Sequence, residues 1–414
     1  MRQLALRCMI FVVLISLSLK SSPSTHAAES SWVVWLLNSN SREMMKVTPD
    51  ASQSFAWPFA AMPFSTSDVA ISPDNRLAAA CLMDDAGGWS VGVAEIETGQ
   101  AVANLEYDTL QGCSTTRASF SPDSTQVAFG VVYYLPNTPD ASASGPVAAL
   151  HVLDIASGDV TTLDFGLDGL TALFEEQLQQ QPTAVLPIVV DFDGEAVTFQ
   201  LSVFAIGGNF VVTAEQWTIE PGFSERRDRF AHPGVQYFPG TGEVVWPDVS
   251  NTYPRAQPPG PIPAYNVVRY QGVSGDPLTI FTPNTESPML VVGVEWANNG
   301  AVLLVHLLGE HRPDIPEYWV ALDRAGNIVD LPADITGFQV FGAPQGFFYL
   351  STTYENGDLN RPTTALTAVT FATDASPEIS TSREWQDDTD SWLILAVSSA
   401  SSASEFSPFP AIAD

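Results

Sequence analysis

Positive charge and cysteine are what this chain has least of. Its 414 residues include 16 Lys and Arg against 47 Asp and Glu, a formal net charge of −31 at pH 7, and lysine occurs only at Lys20 and Lys46. A field of that sign repels phosphate backbones and anionic bilayers, which excludes nucleic acid and acidic membrane surfaces as partners. The acids are scattered among turns and converge on no single motif, so they point first to solubility in a harsh or salty medium, and only then to diffuse cation attraction or a basic partner.

Linkers and long apolar runs are also missing. No Gly/Ser stretch divides the chain, which argues for one body. Beyond the N-terminus no apolar run nears the roughly 20 residues of a spanning helix, so no transmembrane anchor is expected. At the N-terminus Arg2 and Arg7 precede an apolar stretch from Ile10 to Leu19, and Thr25, His26 and Ala27 form a small-residue end. That layout is an export signal over residues 1–27, cleaved after Ala27 or Ala28. Cys8 lies ahead of the apolar stretch and not at the cleavage point, so no lipid anchor is indicated, and the protein is expected to be secreted or periplasmic. Removal of Arg2, Arg7 and Lys20 leaves 13 basic residues against 47 acids. In an oxidising compartment the two remaining cysteines, Cys81 and Cys113, are expected to pair if their Cα atoms approach within about 7 Å. Otherwise Cys81 acts as a small buried hydrophobe.

What is present is a repeat. Ile71-Ser72-Pro73-Asp74-Asn75-Arg76-Leu77 returns as Phe120-Ser121-Pro122-Asp123-Ser124-Thr125-Gln126-Val127, 49 residues on. A hydrophobic residue, a Ser-Pro-Asp turn and a β run, recurring at about 40 to 50 residues, mark a radially repeated sheet protein. Leu77 to Leu82, Trp89 to Ile96 and Ala101 to Leu105 read as strands, and Gln126 to Leu135, Val147 to Ile155 and Val160 to Phe165 copy them. Proline sets φ at the first corner, and aspartate accepts backbone N–H groups at the strand entry. Ser72, Pro73, Asp74, Ser121, Pro122 and Asp123 are therefore read as structural.

Fainter copies follow at Val189 to Gln200, Val235 to Trp246, Val291 to Leu308, Phe338 to Leu350 and Trp385 to Val397, which makes seven starts. The expected fold is all-β, a β-propeller over residues 30–400 with seven blades, six or eight remaining open, followed by a low-order tail at 401–414. The hairpin Trp32 to Val47 has no Ser-Pro-Asp turn before it, and Trp392 to Val397 has too little chain after it. The N-terminal strands are thus expected to complete the C-terminal blade, which removes sheet edges. A helix capped by Asp168, with Leu170, Leu173, Phe174 and Leu178 on one face, is expected within an insertion at 166–187. Further insertions are expected at 136–146 and 253–265.

The repeated Ser-Pro-Asp entry, with Asn75 and Ser124 where glycine is usual, resembles the WD40-like repeats of TolB-type exported β-propeller proteins. Residues 68–165 carry the resemblance best. It implies antiparallel four-stranded blades around a central channel and protein binding through one face or the channel mouth.

Patterns for chemistry are weak. His306-Leu307-Leu308-Gly309-Glu310-His311 misses the His-Glu-x-x-His spacing, and Gly309 argues against the required helix. Asp191, Asp193 and Glu195 alternate along a strand without a calcium loop around them. No Gly-x-Ser-x-Gly elbow singles out a serine to go with His151, His232, His306 or His311. No cofactor or metal is expected. The stiff segment from Tyr253 to Tyr265 carries two aromatics, and Trp246, Tyr253 and Tyr265 are read as an interaction surface for a protein or extended polymer. Arg226, Arg227 and Arg229 sit beside Glu225 and Asp228, so local charge balance explains them. The expectation is an exported protein- or ligand-binding propeller without assigned catalysis. Alternatives are an extracellular hydrolase or lyase on glycans or peptides, with its site at the channel mouth, or a structural envelope component.

Overall fold

The Ser-Pro-Asp phrase builds the same turn twice. In the computed structural model Ser72 Oγ donates to Asp74 Oδ1 (2.6 Å) and accepts the Leu77 N–H (2.8 Å), and the Ser72 N–H donates to the Leu77 carbonyl (2.9 Å). Ser121 Oγ likewise donates to Asp123 Oδ1 (2.7 Å) and accepts the Gln126 N–H (2.9 Å). Asn75 and Ser124 take φ of 63° and 62°, the left-handed corner where glycine is usual. Each turn satisfies its own backbone donors and launches a strand that is almost wholly buried. The two turns also touch, because Ser124 Oγ accepts the Asp74 N–H at 3.2 Å.

The structure describes residues 32–38, 40–63, 65, 68–106, 110–133, 147–165, 182–205, 208–218, 236–237, 243–248, 267–272, 276–282, 289–309, 318–332, 335, 339–354, 362–371, 377–386 and 392–399. No helix occurs among them, and the strands pair into seven antiparallel sheets that follow chain order. The first contains Met62–Pro63, Val69–Ile71, Leu77–Met83, Trp89–Glu95 and Ala101–Glu106. The second contains Leu110–Ser114, Gln126–Tyr133, Val147–Asp154 and Val160–Phe165. Three strands, Pro182–Phe192, Ala196–Ala205 and Gly208–Thr218, make the third. The fourth runs Gln236–Tyr237, Val244–Asp248, Val267–Gln271 and Leu278–Phe281, and the fifth Met289–Ala297, Val302–Gly309, Tyr318–Asp323 and Ile328–Val329. Val340–Ala343, Gly346–Tyr354, Pro362–Phe371 and Pro377–Gln386 form the sixth. The seventh joins the two ends of the chain, in the order Trp392–Ser399, Trp32–Asn38, Glu43–Val47 and Ser52–Ala56.

This is a β-propeller. Each sheet is too thin to bury its own faces, and the apolar residues pack between sheets instead. Val33, Trp35 and Leu37 of the seventh sheet pack with Val69, Ala78 and Leu82 of the first. On the opposite face of the same strand, Trp32, Val34 and Leu36 meet Phe348 and Leu350 of the sixth. Similar clusters join the first sheet to the second, the second to the third, the fourth to the fifth and the fifth to the sixth. A strand buried on both faces has no polar alternation, which is why Trp32–Asn38 reads as an unbroken apolar run up to Asn38. Sheet spacing is tight: a Cβ at Gly342 would lie 1.7 Å from the Trp296 carbonyl oxygen of the neighbouring sheet.

Two expectations need correction. Trp385 does not open a last unit. It lies in Pro377–Gln386, the outermost strand of the sixth sheet, paired with Thr364, and the next described strand, Trp392–Ser399, belongs to the seventh sheet, so the two do not form a hairpin. The segment from Pro182 to Pro187, expected as insertion, is strand paired with Leu201 to Ala205. Pro182 opens this strand and Pro187 stands within it, and both are tolerated because the strand is at the edge of its sheet, where one side carries no ladder bonds among the described residues. The expected helix after Asp168, the insertions at 136–146 and 253–265, the export signal at 1–27 and the tail at 401–414 lie outside the described residues.

Candidate functional site

The inner ends of the sheets converge on a central cavity of about 420 Å³, lined, among the described residues, from every sheet but the third. Its polar centre is Arg117. This residue sits in a short break after Leu110–Ser114, where Ser119 Oγ accepts the Thr116 N–H (2.8 Å) and Thr116 Oγ1 donates to the Val189 carbonyl of the third sheet (2.8 Å). A pinned turn therefore aims the side chain away from its own sheet, and it passes the third sheet to reach the fourth, fifth and sixth. Its Nη1 and Nη2 donate to the two oxygens of Glu295 at 2.5 and 2.8 Å, and Nη2 also donates to Gln236 Oε1 at 2.9 Å. The guanidinium lies over the Phe341 ring, 4.9 Å from its centre. Burial works against the Arg117 charge, but the adjacent carboxylate prevails and holds its pKa above the ordinary value. Glu295 Oε1 accepts a further bond from the Gly342 N–H at 3.3 Å. Beside this pair, Gln339 Oε1 accepts the Ile394 N–H of the seventh sheet at 2.8 Å. Val69, Val340, Leu393 and Ile394 supply apolar wall.

The 49-residue repeat places Asp68 where Arg117 stands in the next unit. Asp68 is turned into the protein instead of the cavity. Burial raises its pKa to about 6, against the opposing bond from Ser114 Oγ at 3.3 Å. Asp191 is also raised to about 6, by burial first and by neighbouring Asp193 second. Neither carboxyl lines the cavity, whose described lining presents one carboxylate and one arginine already paired with each other.

The residues singled out by sequence fall elsewhere. Pro73, Asp74, Pro122 and Asp123 are exposed at the repeated turns, with Ser72 and Ser121 buried behind them. Cys81 and Cys113 form a disulfide with Cα atoms 5.7 Å apart, stapling the first sheet to the innermost strand of the second. Trp246 is not surface: it is 2 % exposed and packs with Val244, because its strand is inside its sheet with a neighbour on either side. Tyr253 and Tyr265 lie outside the described residues, as do His232, His311, Arg226, Arg227 and Arg229. His306 stacks on Trp319 at 4.5 Å, and His151 on Phe129 at 5.4 Å, both within sheets. Asp193 Oδ1 accepts the Glu195 and Ala196 N–H groups (2.8 and 2.7 Å), which makes it a turn residue. Among the described residues no three His, Cys, Asp or Glu side chains gather as a metal site. Arg117, Glu295, Gln236 and Gln339 were missed by sequence reasoning. The repeat places Arg117 three residues ahead of the Phe120-Ser121 turn entry, but nothing in the chain announces a partner 178 residues away.

No family model matches this chain, and no curated protein matches it. Solved propellers resemble it at low identity. The β-propeller domain of the Trilobed protease from Pyrococcus furiosus is 11% identical, with a TM-score of 0.43, over 78% of this chain and 98% of that one. A periplasmic gluconolactonase of Pseudomonas aeruginosa is 12% identical, with a TM-score of 0.44, over 88% of this chain and 97% of that one. A TolB protein of Agrobacterium tumefaciens is 15% identical, with a TM-score of 0.30, over 61% of this chain and 90% of that one. At this level the fold rests on the strand pairing of the chain itself, and function on its own side chains.

Proposed function

We propose that this is an exported, non-catalytic propeller of seven blades, closed by its two ends, which binds a ligand in the central cavity. The observation that carries it is the Arg117 side chain reaching across to Glu295. It puts oriented, partly exposed donors into an opening of about 420 Å³, a size that suits a small ligand or the tip of a larger one. A general base or nucleophile needs a free group poised at a reacting atom. The one described carboxylate here is held by an arginine and a backbone N–H, which supports binding over hydrolysis. Export is supported by the signal-like residues 1–27 and by the Cys81–Cys113 bond, since such bonds persist in oxidising compartments. No helix among the described residues is long and apolar enough to cross a membrane.

The test combines cell fractionation with titration of the purified chain against pooled peptides and neutral oligosaccharides. Recovery outside the cytoplasm with a new N-terminus after Ala27 or Ala28, and ligand binding weakened by Arg117→Ala, are the expected results. Retention in the cytoplasm would overturn export. Ligand turnover that is lost in Glu295→Gln would replace binding by catalysis.

A further inference from the structure

Two glutamine side-chain carbonyls accept hydrogen bonds at the cavity wall. Gln236 Oε1 sits on Arg117 and Gln339 Oε1 on the Ile394 N–H, so in both cases a side-chain amide carbonyl occupies a donor that faces the cavity. A glutamine amide is chemically a peptide group. We propose that the cavity receives an uncharged, extended peptide segment of a partner, whose backbone carbonyls replace Gln236 on Arg117 and Gln339 on Ile394. This deepens the binding function proposed above and rests on it.

Charge restricts the ligand first. Arg117 is already neutralised by Glu295 through two bonds, inside a protein of net charge −31, so an anion meets an unfavourable field with no spare cation among the described lining residues to hold it. A cation must compete for Glu295, whose oxygens are held by Arg117 and the Gly342 N–H. A neutral acceptor disturbs neither. Of the five guanidinium N–H groups, three are engaged by Glu295 and Gln236. The Nε–H lies on the same edge of the planar fork as Nη2. Swinging Gln236 aside therefore opens two parallel donors while the Glu295 pair stays intact, and the exchange of one neutral carbonyl for another moves no charge.

Wall chemistry restricts it further. Val69, Val340, Leu393 and Ile394 are branched aliphatics suited to apolar side chains. Phe341, the aromatic of the cavity wall among the described residues, has Arg117 over one face, which withholds that face from a sugar ring. The Ile394 N–H belongs to an innermost strand, whose cavity side has no neighbouring strand among the described residues, so an added extended segment meets it as another strand would.

The experiment uses the whole disulfide-bonded chain and a pool of acetylated, amidated tetrapeptides of alanine, valine, leucine and glutamine, with a pool of neutral trisaccharides as the comparison. Titration calorimetry reads affinity, and thermal melts report that each variant is folded. Peptide affinity is expected to rise about two- to tenfold in Gln236→Ala and in Gln339→Ala, because the internal competitor is gone. It should fall about tenfold or more in Arg117→Ala, and fall in Gln236→Glu, where a carboxylate grips Arg117 more firmly. Peptide affinity indifferent to both glutamines overturns the exchange. Trisaccharide binding without peptide binding overturns the ligand class and leaves the cavity as a site. Binding of neither pool overturns the exchange together with the binding function on which it rests.

Discussion

Asn75 stands where a glycine would relax the backbone, yet glycine cannot replace it without loss. Its Oδ1 accepts the Trp35 Nε1–H at 2.8 Å and the Ser398 Oγ–H at 3.0 Å, so one turn residue of the first sheet grips two strands of the seventh. Relieving the left-handed backbone returns about 1 kcal/mol. Orphaning the indole N–H of Trp35, which is 1 % exposed, costs about 1–3 kcal/mol. Asn75→Gly is therefore expected to lower stability, measured by urea unfolding. Asp68 makes the opposite case. Burial lifts its folded pKa to about 6, above the ordinary carboxylate value of 3.8, so the folded state holds a proton that the unfolded state has released between those pH values. Stability should fall as pH rises from about 4 to 6 and level off above. Asp68→Asn keeps an acceptor for Ser114, and is expected to flatten that slope and to raise stability at pH 7 by on the order of 2 kcal/mol. A slope retained in the variant would assign it to Asp191 or another group.

The contacts between sheets decide how the elements hold together. The Cys81–Cys113 staple closes a loop with a sequence separation of 32, between strands that share the apolar cluster of Val91, Val93, Phe129 and Val131. Replacing both cysteines by serine is expected to cost about 3–4 kcal/mol, through a less constrained unfolded chain. Unfolding with and without reductant should show the same difference in the native protein, and reductant should leave the serine variant unmoved. A second clamp joins the fourth and fifth sheets without a covalent bond. Arg324 donates to both oxygens of Glu243 (3.1 and 2.9 Å) and to the Gly300 carbonyl, and Tyr270 donates to Glu243 as well.

At the scale of the molecule, the seventh sheet draws its innermost strand from residues 392–399 and the other three from residues 32–56. Both faces of Trp32–Asn38 are buried against neighbouring sheets, so separating the ends would expose two apolar clusters at once. Net charge acts against this association. With 47 acids against 16 bases the folded surface repels itself, and salt at a few tenths molar shortens the Debye length to below about 8 Å. The melting temperature is expected to rise with sodium chloride over that range. A fall would show that attractive pairs such as Arg117–Glu295 outweigh the general repulsion.

Local chemistry determined what can be known from the chain alone. Ser72 and Ser121 with their prolines and aspartates specify a turn within six residues, so the turn, the strand after it and the repeat interval were all legible in order. The recurrence of that turn ahead of β runs announced a series of small sheets, whereas the burial of Trp32–Asn38 on both faces emerged only from their packing. The pairing of Trp32–Asn38 with Trp392–Ser399 was legible as unmatched ends, but its order was not, because Ser52–Ala56 is exposed and polar and gives no strand signal. Trp246 is ambiguous in sequence for the converse reason: an aromatic at a strand end is the same letter whether it faces solvent or the next sheet. The candidate site was decided by tertiary structure alone. Gln236 and Glu295 lie on inner strands of the fourth and fifth sheets, Arg117 in the turn after Leu110–Ser114 and Gln339 just ahead of Val340–Ala343, and only the packing of the sheets brings Arg117 to Glu295 and Gln236, and Gln339 to Ile394. Turns are set by neighbours in the chain, and a site on the axis is set by residues that meet only after every sheet between them has packed.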